Sequence, residues 1–220
     1  MRRPLVVLFD LDGTLVDTTA FLLRSMRHAF EGYAGRAPTD AEWIAGIGTP
    51  LRTQLREILP DEPTVDALIT RYRAFQHAHH DAMTFAFPEA LDVVSQLRAR
   101  GHPMGLVTSK GHELAMRTLQ HVGLAPFMDP VVTADSVTRH KPDPAPVRFA
   151  LDRLGVSPAE AIFVGDSPHD VNAGNAAGVR TVAALWGPFS REVLEQARPT
   201  FLLESLDKLP ALVERVAWSA

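Results

Sequence analysis

Not one of the 220 residues is a cysteine. Disulfides and thiolate metal sites are thereby excluded, and the redox compartment stays undecided. Long apolar runs are missing as well, none approaching the roughly 20 residues of a membrane span. The apolar stretch at the N-terminus is interrupted by Asp10 and Asp12 and shows no cleavage-site pattern, so it does not read as a signal peptide. An excess of positive charge is also absent, the formal net charge being −4, which gives no reason to expect a nucleic-acid partner. Hydrophobic residues at 46% and charged residues at 22% are globular values and argue against wholesale disorder. Internal repeats and low-complexity segments are lacking. A soluble, cytoplasmic protein with no membrane partner is expected, long enough for one large domain or a core plus a small module.

What the chain does have is FDLDGTLVDT, Phe9 to Thr18. An apolar strand (Leu5, Val6, Val7, Leu8, Phe9) runs straight into Asp10 and Asp12. Two acids one residue apart past a buried strand repel unless a cation or shared proton holds them, which suggests a divalent metal. Gly13 allows a turn and close approach of a ligand, and Thr14 offers a hydroxyl and an N–H to phosphate oxygens. Asp10 or Gly13 alone would be an ordinary turn residue. A calcium loop starting at Asp10 would need Gly and Glu where Leu15 and Phe21 stand.

After Thr18 the period is helical. Phe21, Leu22, Met26, Phe30 and Tyr33 mark one face, Thr39 with Glu42 fits a capping box ahead of Trp43 and Ile44, and Thr49–Pro50 reads as an N-cap and first helical residue. Leu51, Leu55, Ile58 and Leu59 form that helix's stripe. A fourth helix is expected from Thr64, carrying Val65, Leu68, Ile69, Tyr72 and Phe75. Four short-linked helices read as a bundle. From Pro88 helix and strand alternate: a helix with Leu91, Val94 and Leu97, then strands at 104–108, 131–133, 161–164 and 180–185, and a last strand near Phe201. Such alternation predicts an α/β, Rossmann-like parallel sheet with helices on both faces and ligands at the carboxyl ends of its strands. Residues 1–18 and 84–220 are expected to form this core, with 19–83 inserted as a helical cap tethered near 16–18 and 84–88.

Strand ends are therefore where chemistry is expected. The second supplies Thr108, Ser109 and Lys110, whose hydroxyls and N–H groups at a helix start suit a phosphate. The third leads to Lys141 in a loop stiffened by Pro142 and Pro144. The fourth supplies Asp166 and Asp170, oxygen ligands that with Asp10 suit magnesium.

In this order the four motifs DLDGT (Asp10 to Thr14), VTS (Val107 to Ser109), KPDP (from Lys141) and GDSPHD (Gly165 to Asp170) resemble the haloacid dehalogenase-like superfamily, phosphatase branch, with a helical cap after the first motif. The resemblance implies Asp10 as the nucleophile that takes the phosphoryl group and Asp12 as general acid, then base. It further implies that Mg2+ is bound by Asp10, Asp166 and the backbone carbonyl of Asp12, with Asp170 in support. Thr108 or Ser109 would bond the transferring group, and Lys141 would balance its charge. Dehalogenases of this fold lack the second acid, and phosphomutases usually begin the fourth motif with Glu-Asp, so the resemblance implies hydrolysis of a phosphate ester or anhydride. HKPDPAPVRFALDRLG, His169 and Asp170 resemble phosphoglycolate phosphatases and PpaX-type pyrophosphatases, whereas WGPF at Trp186 to Phe189 departs from their WGY turn.

A small phosphorylated metabolite is the expected partner, bound by a monomer or homodimer. Phosphoglycolate-like esters lead, pyrophosphate and phosphomutase activity are alternatives, and a silent phosphate-binding module is the non-enzyme reading. The GxGxxG fingerprint of nucleotide oxidoreductases is missing. In the cap, Arg52 and Arg56 stand one turn apart, and Arg52 is the candidate for a second anionic group. His77, His79 and His80 are expected to face solvent, and His169 to orient Asp170 or line the entrance.

Overall fold

Five apolar residues in a row leave a strand no polar face, so it must be covered on both sides. In the computed structural model, which describes residues 4–219, that run forms β1 (Val6–Phe9), every residue buried. Val7 and Phe9 point into one apolar cluster, and Val6 and Leu8 into another on the opposite face. β1 pairs in parallel with β4 (Met104–Val107) on one side and β6 (Ala161–Gly165) on the other. With β5 (Val131–Val132), β7 (Arg180–Ala184) and β8 (Phe201–Leu203) they make a six-stranded parallel sheet, ordered β5-β4-β1-β6-β7-β8.

Helices α5 (Ala90–Ala99) and α10 (Leu209–Ser219) pack on the first cluster through Val93, Val94 and Leu97 and through Leu212 and Val213. α7 (Ala145–Leu154) and α8 (Pro168–Ala177) cover the other face through Val147, Leu151 and Ala173. α6 (His112–His121) follows β4 and α9 (Arg191–Gln196) follows β7. The α/β fold is the one expected from the alternation. Among the described residues, no helix is long and apolar enough to cross a membrane.

Between β2 (Val16–Asp17) and β3 (Phe85–Ala86), paired antiparallel as a two-stranded ribbon, the chain builds α1 (Thr19–Phe30), α2 (Asp40–Gly46), α3 (Leu51–Arg56) and α4 (Glu62–Met83). Trp43 anchors this insert, its ring 6.4 Å from Phe30 and 5.8 Å from Tyr72. The insert's apolar cluster continues into Val171, Ala183, Phe189 and Leu194 of the sheet domain.

Several local expectations shift. The Thr39–Glu42 capping box forms. Pro50, not Thr49, caps α3, because the Thr49 hydroxyl donates to the Gly46 carbonyl at 2.8 Å. α4 begins before Thr64, because the Asp61 carboxylate accepts the Thr64 N–H at 2.8 Å and so caps a longer helix. Leu91 is exposed: the sheet-facing stripe of α5 is Ala90, Val93, Val94 and Leu97. α9 had no strong apolar period to betray it; Ser190 caps it.

Candidate active site

From β1 the chain departs to β4 and β5 on one side, then crosses to β6 on the other. The carboxyl ends of β4, β1 and β6 therefore adjoin at the point where strand order reverses, the usual crevice of open parallel sheets. Asp10 follows β1, Thr108 follows β4 and Asp166 follows β6, which brings together residues 156 positions apart in sequence.

Asp10, Asp166 and Asp170 each present a carboxylate oxygen within 4.8 Å of the others, and all three are buried. The Lys141 ammonium, also buried, lies 2.5 Å from Asp170 Oδ1 and 3.0 Å from Asp10 Oδ1. The first contact is a hydrogen bond; the second is an ion pair without hydrogen-bond geometry, so Asp10 Oδ1 accepts no hydrogen bond. Asp166 Oδ1 accepts from the Thr14 hydroxyl at 2.8 Å, while its Oδ2 is buried and unpartnered. Gly13, at φ +82°, makes this possible: a Cβ there would stand 2.4 Å from Asp166 Oδ2.

Three buried carboxylates against one ammonium leave two negative charges uncompensated. Burial, then the charge of Asp170, pushes Asp10 up to about 7, with Lys141 pulling the other way. Burial, then Asp170 and Asp10, raises Asp166 well above the carboxylate range. Burial would lower Lys141, but Asp10 and Asp170 outweigh it and hold the ammonium above its ordinary value. Oxygen-only donors, two of them unsatisfied, and a deficit of two positive charges fit a hard divalent cation such as magnesium.

Asp12 stands apart from this group. Its Oδ1 accepts from the Lys110 ammonium at 2.6 Å and from the Thr18 hydroxyl at 2.7 Å, so its carboxylate is turned away from the three others. The two acids of the first motif thus have different surroundings, one buried among carboxylates and one half-buried beside a lysine.

A model of the haloacid dehalogenase-like hydrolases matches residues 7–184. The chain belongs to that family. Pyrophosphatase PpaX of Bacillus pumilus is 37% identical over 207 residues, spanning 94% of this chain and 95% of the relative. A solved Bacteroides fragilis protein, described as a haloacid dehalogenase-like hydrolase, superposes with TM-score 0.87 at 25% identity, covering 94% of this chain and all of that one. A Haemophilus somnus chain described as a predicted phosphoglycolate phosphatase superposes with TM-score 0.85 at 21% identity, over 96% of this chain and 99% of that one, and shows the shared fold. The protein is a hydrolase of the phosphatase type.

In this hydrolase a cleft of about 370 Å³ opens above the strand ends, lined by Asp10, Asp12, Thr108, Ser109 and Lys110 below and by α2 to α4 above. Thr108 is buried and its hydroxyl accepts the Lys110 N–H at 3.2 Å. The Ser109 hydroxyl does not point to an anion site; it donates to the Gly48 carbonyl of the insert at 2.6 Å. Arg52 lines the cleft, but its guanidinium is held by Glu62 at 2.8 Å and by Asp66. Arg56 pairs with Glu62 outside the cleft lining.

His77 and His79 are exposed as expected, whereas His80 is fully buried, bonded to Asp81 at 2.6 Å and to the Thr118 hydroxyl at 2.8 Å. The reason is its place on α4: one turn on from Gln76, it faces α6 rather than water. The His169 side chain makes no hydrogen bond to Asp170; its Nε2 lies 3.3 Å from the Ala45 carbonyl of the insert.

Asp170 is oriented instead by Ser167, whose hydroxyl donates to Asp170 Oδ2 at 2.5 Å in a capping box that opens α8. The Ser-x-x-Asp spacing was a readable signal for it. Thr18 and Trp186 were also not foreseen. The Trp186 indole donates to the Thr14 carbonyl at 3.0 Å and braces the turn after Asp12, while Phe189 packs into the insert's apolar cluster. Both ends of WGPF are thus anchored.

Proposed function

We propose that this protein is a magnesium-dependent phosphatase that hydrolyses a small phosphoglycolate-like phosphate monoester through an aspartyl-phosphate on Asp10. The observation that carries this reading is the separation of the two first-motif acids. Asp10 sits beside Lys141 and the unsatisfied Asp166, while Asp12 sits beside Lys110 and Thr18. A nucleophile and a proton carrier need such different environments.

Asp10, Asp166 and Asp170, with the backbone carbonyl of Asp12, would hold magnesium, which supplies positive charge to the transferring phosphoryl oxygens. Asp10 attacks phosphorus with its carboxylate oxygen, and Lys141 neutralises charge beside it. Thr108 and the N–H groups around it hold the phosphoryl oxygens in line. Asp12 donates its proton to the leaving oxygen, then accepts one from the water that opens the acyl phosphate. Thr18 and Lys110 keep its carboxylate aimed at one place during both steps.

Inorganic pyrophosphate is a second reading, supported by the activity in the name of the Bacillus pumilus relative. Steady-state kinetics on phosphoglycolate, pyrophosphate and p-nitrophenyl phosphate, with magnesium and with chelator, separate the two. In single-turnover measurements Asp12→Asn is expected to slow phosphorylation of the protein by phosphoglycolate about 10²–10⁴-fold, and by p-nitrophenyl phosphate, whose leaving group needs no proton, far less, while the water step common to both slows alike. Equal slowing of phosphorylation by both would remove the acid role from Asp12.

A further inference from the structure

Helix α4 lines the cleft with Tyr72, Arg73, Gln76 and His77, residues spaced so that they share one helix face. Tyr72 ties that face to the reaction centre. It lines the same cleft as Asp10 and Asp12.

Gln76 is only 5% exposed, yet its amide has no hydrogen-bond partner among the described residues. Its amide atoms are not among the buried, unsatisfied polar groups, so they open onto the cleft. Because Gln76 lines the cleft, its amide is available to a molecule held there. Arg73, one turn before it, is exposed at the cleft and makes no ion pair among the described residues. The other cations there are committed: Arg52 to Glu62 and Asp66, Lys110 to Asp12. At the head of α6 stands Glu113, an acid that disfavours an anion on that wall and leaves the α4 wall for it.

We propose that Arg73 and Gln76 form a distal subsite that binds a second anionic oxygen group of the substrate, a carboxylate or a phosphate. This rests on the phosphatase reading and narrows its substrates to phosphorylated compounds with a second anion a few atoms from the phosphoryl group. A guanidinium fork matches two oxygens of either group, and the Gln76 amide N–H adds a third donor from the same side. Arg73, not Arg52, is then the specificity-determining arginine of the insert.

The test compares wild type, Arg73→Ala, Arg73→Lys, Gln76→Leu and, as a control outside the cleft, Arg56→Ala. Substrates are phosphoglycolate and pyrophosphate, which carry carboxylate and phosphate as second anion, and methyl phosphate, which carries none. Arg73→Ala is expected to raise KM about tenfold or more on one or both of the substrates with a second anionic group, with kcat little changed, and to alter kcat/KM on methyl phosphate less than about twofold. The substrate with the larger penalty identifies the second group. Arg73→Lys is expected to recover part of the loss, and Gln76→Leu to raise KM in the same sense.

Equal effects on all three substrates, or none on any, would overturn the subsite. Calorimetric binding of phosphoglycolate and pyrophosphate to Asp10→Asn, with and without Arg73→Ala, reads the subsite without turnover. If the wild type turned over none of the three substrates, the proposed function would fall. The subsite would still stand or fall on whether Arg73→Ala weakens that binding.

Discussion

At the scale of single residues, the site is governed by how few charges a buried pocket tolerates. Asp10 and Asp166 are held above the carboxylate range, chiefly by burial, with Lys141 as the one buried ammonium beside them. Their ordinary value in an unfolded chain is near 4. Without metal, the folded state therefore binds more protons than the unfolded state between that value and about 7 for Asp10. More protons on the folded side means stability falls as pH rises through the window.

Magnesium on the ionised carboxylates would cancel that fall, so the stabilisation by magnesium is expected to be small at about pH 5 and to grow toward pH 8. Buried His80, whose value is lowered mainly by burial, pushes stability the other way, but it does so with and without metal and drops out of the difference. Thermal melts with magnesium and with chelator across this range check it; an increment independent of pH would mean that these carboxylates do not hold the ion. Asp166→Asn should flatten the dependence.

At the scale of elements, two facts define how the insert meets the sheet. The β2–β3 ribbon is the covalent tether, and hydrogen bonds from Ser109 to Gly48 and from His169 to Ala45 close the far side of the mouth. Ribbon-tethered lids commonly open for substrate and water and close for transfer. Since the chain has no cysteine, Ala45→Cys with His169→Cys offers a clean pair for a short thiol crosslinker. Crosslinking is expected to cut turnover at least about tenfold, with each single-cysteine variant unaffected. Unchanged turnover would show that the insert need not move.

The same scale shows what was legible beforehand. β1, the order of the four strand-end motifs and the Thr39 capping box follow from apolar runs and local cap chemistry, which act over a few residues. Ser109 turning to Gly48, Arg52 pairing with Glu62 and Asp66 at the surface, and His80 packing on Thr118 depend on elements that meet only in the fold. Nothing within a few residues of Ser109, Arg52 or His80 encodes those partners. Gln76 and Arg73 read as ordinary helix positions for the same reason; only the cleft distinguishes them.

At the scale of the whole molecule, a parallel sheet buried on both faces gives three loops a rigid common edge, and the insert roofs that edge. The rigid edge fixes Asp10 against Lys141 and Asp166, and the proposed Arg73–Gln76 subsite would let the roof supply recognition through α4. On that proposal the chemistry belongs to the sheet domain and the choice of substrate to the insert. The most direct test is to quench turnover with acid during the reaction of phosphate-labelled substrate, then digest the protein and locate the label. Label on the peptide that carries Asp10, formed and lost at rates compatible with kcat and absent from Asp10→Asn, is the expected result. Full turnover with no labelled peptide at any time, or label on another residue, would contradict a covalent role for Asp10.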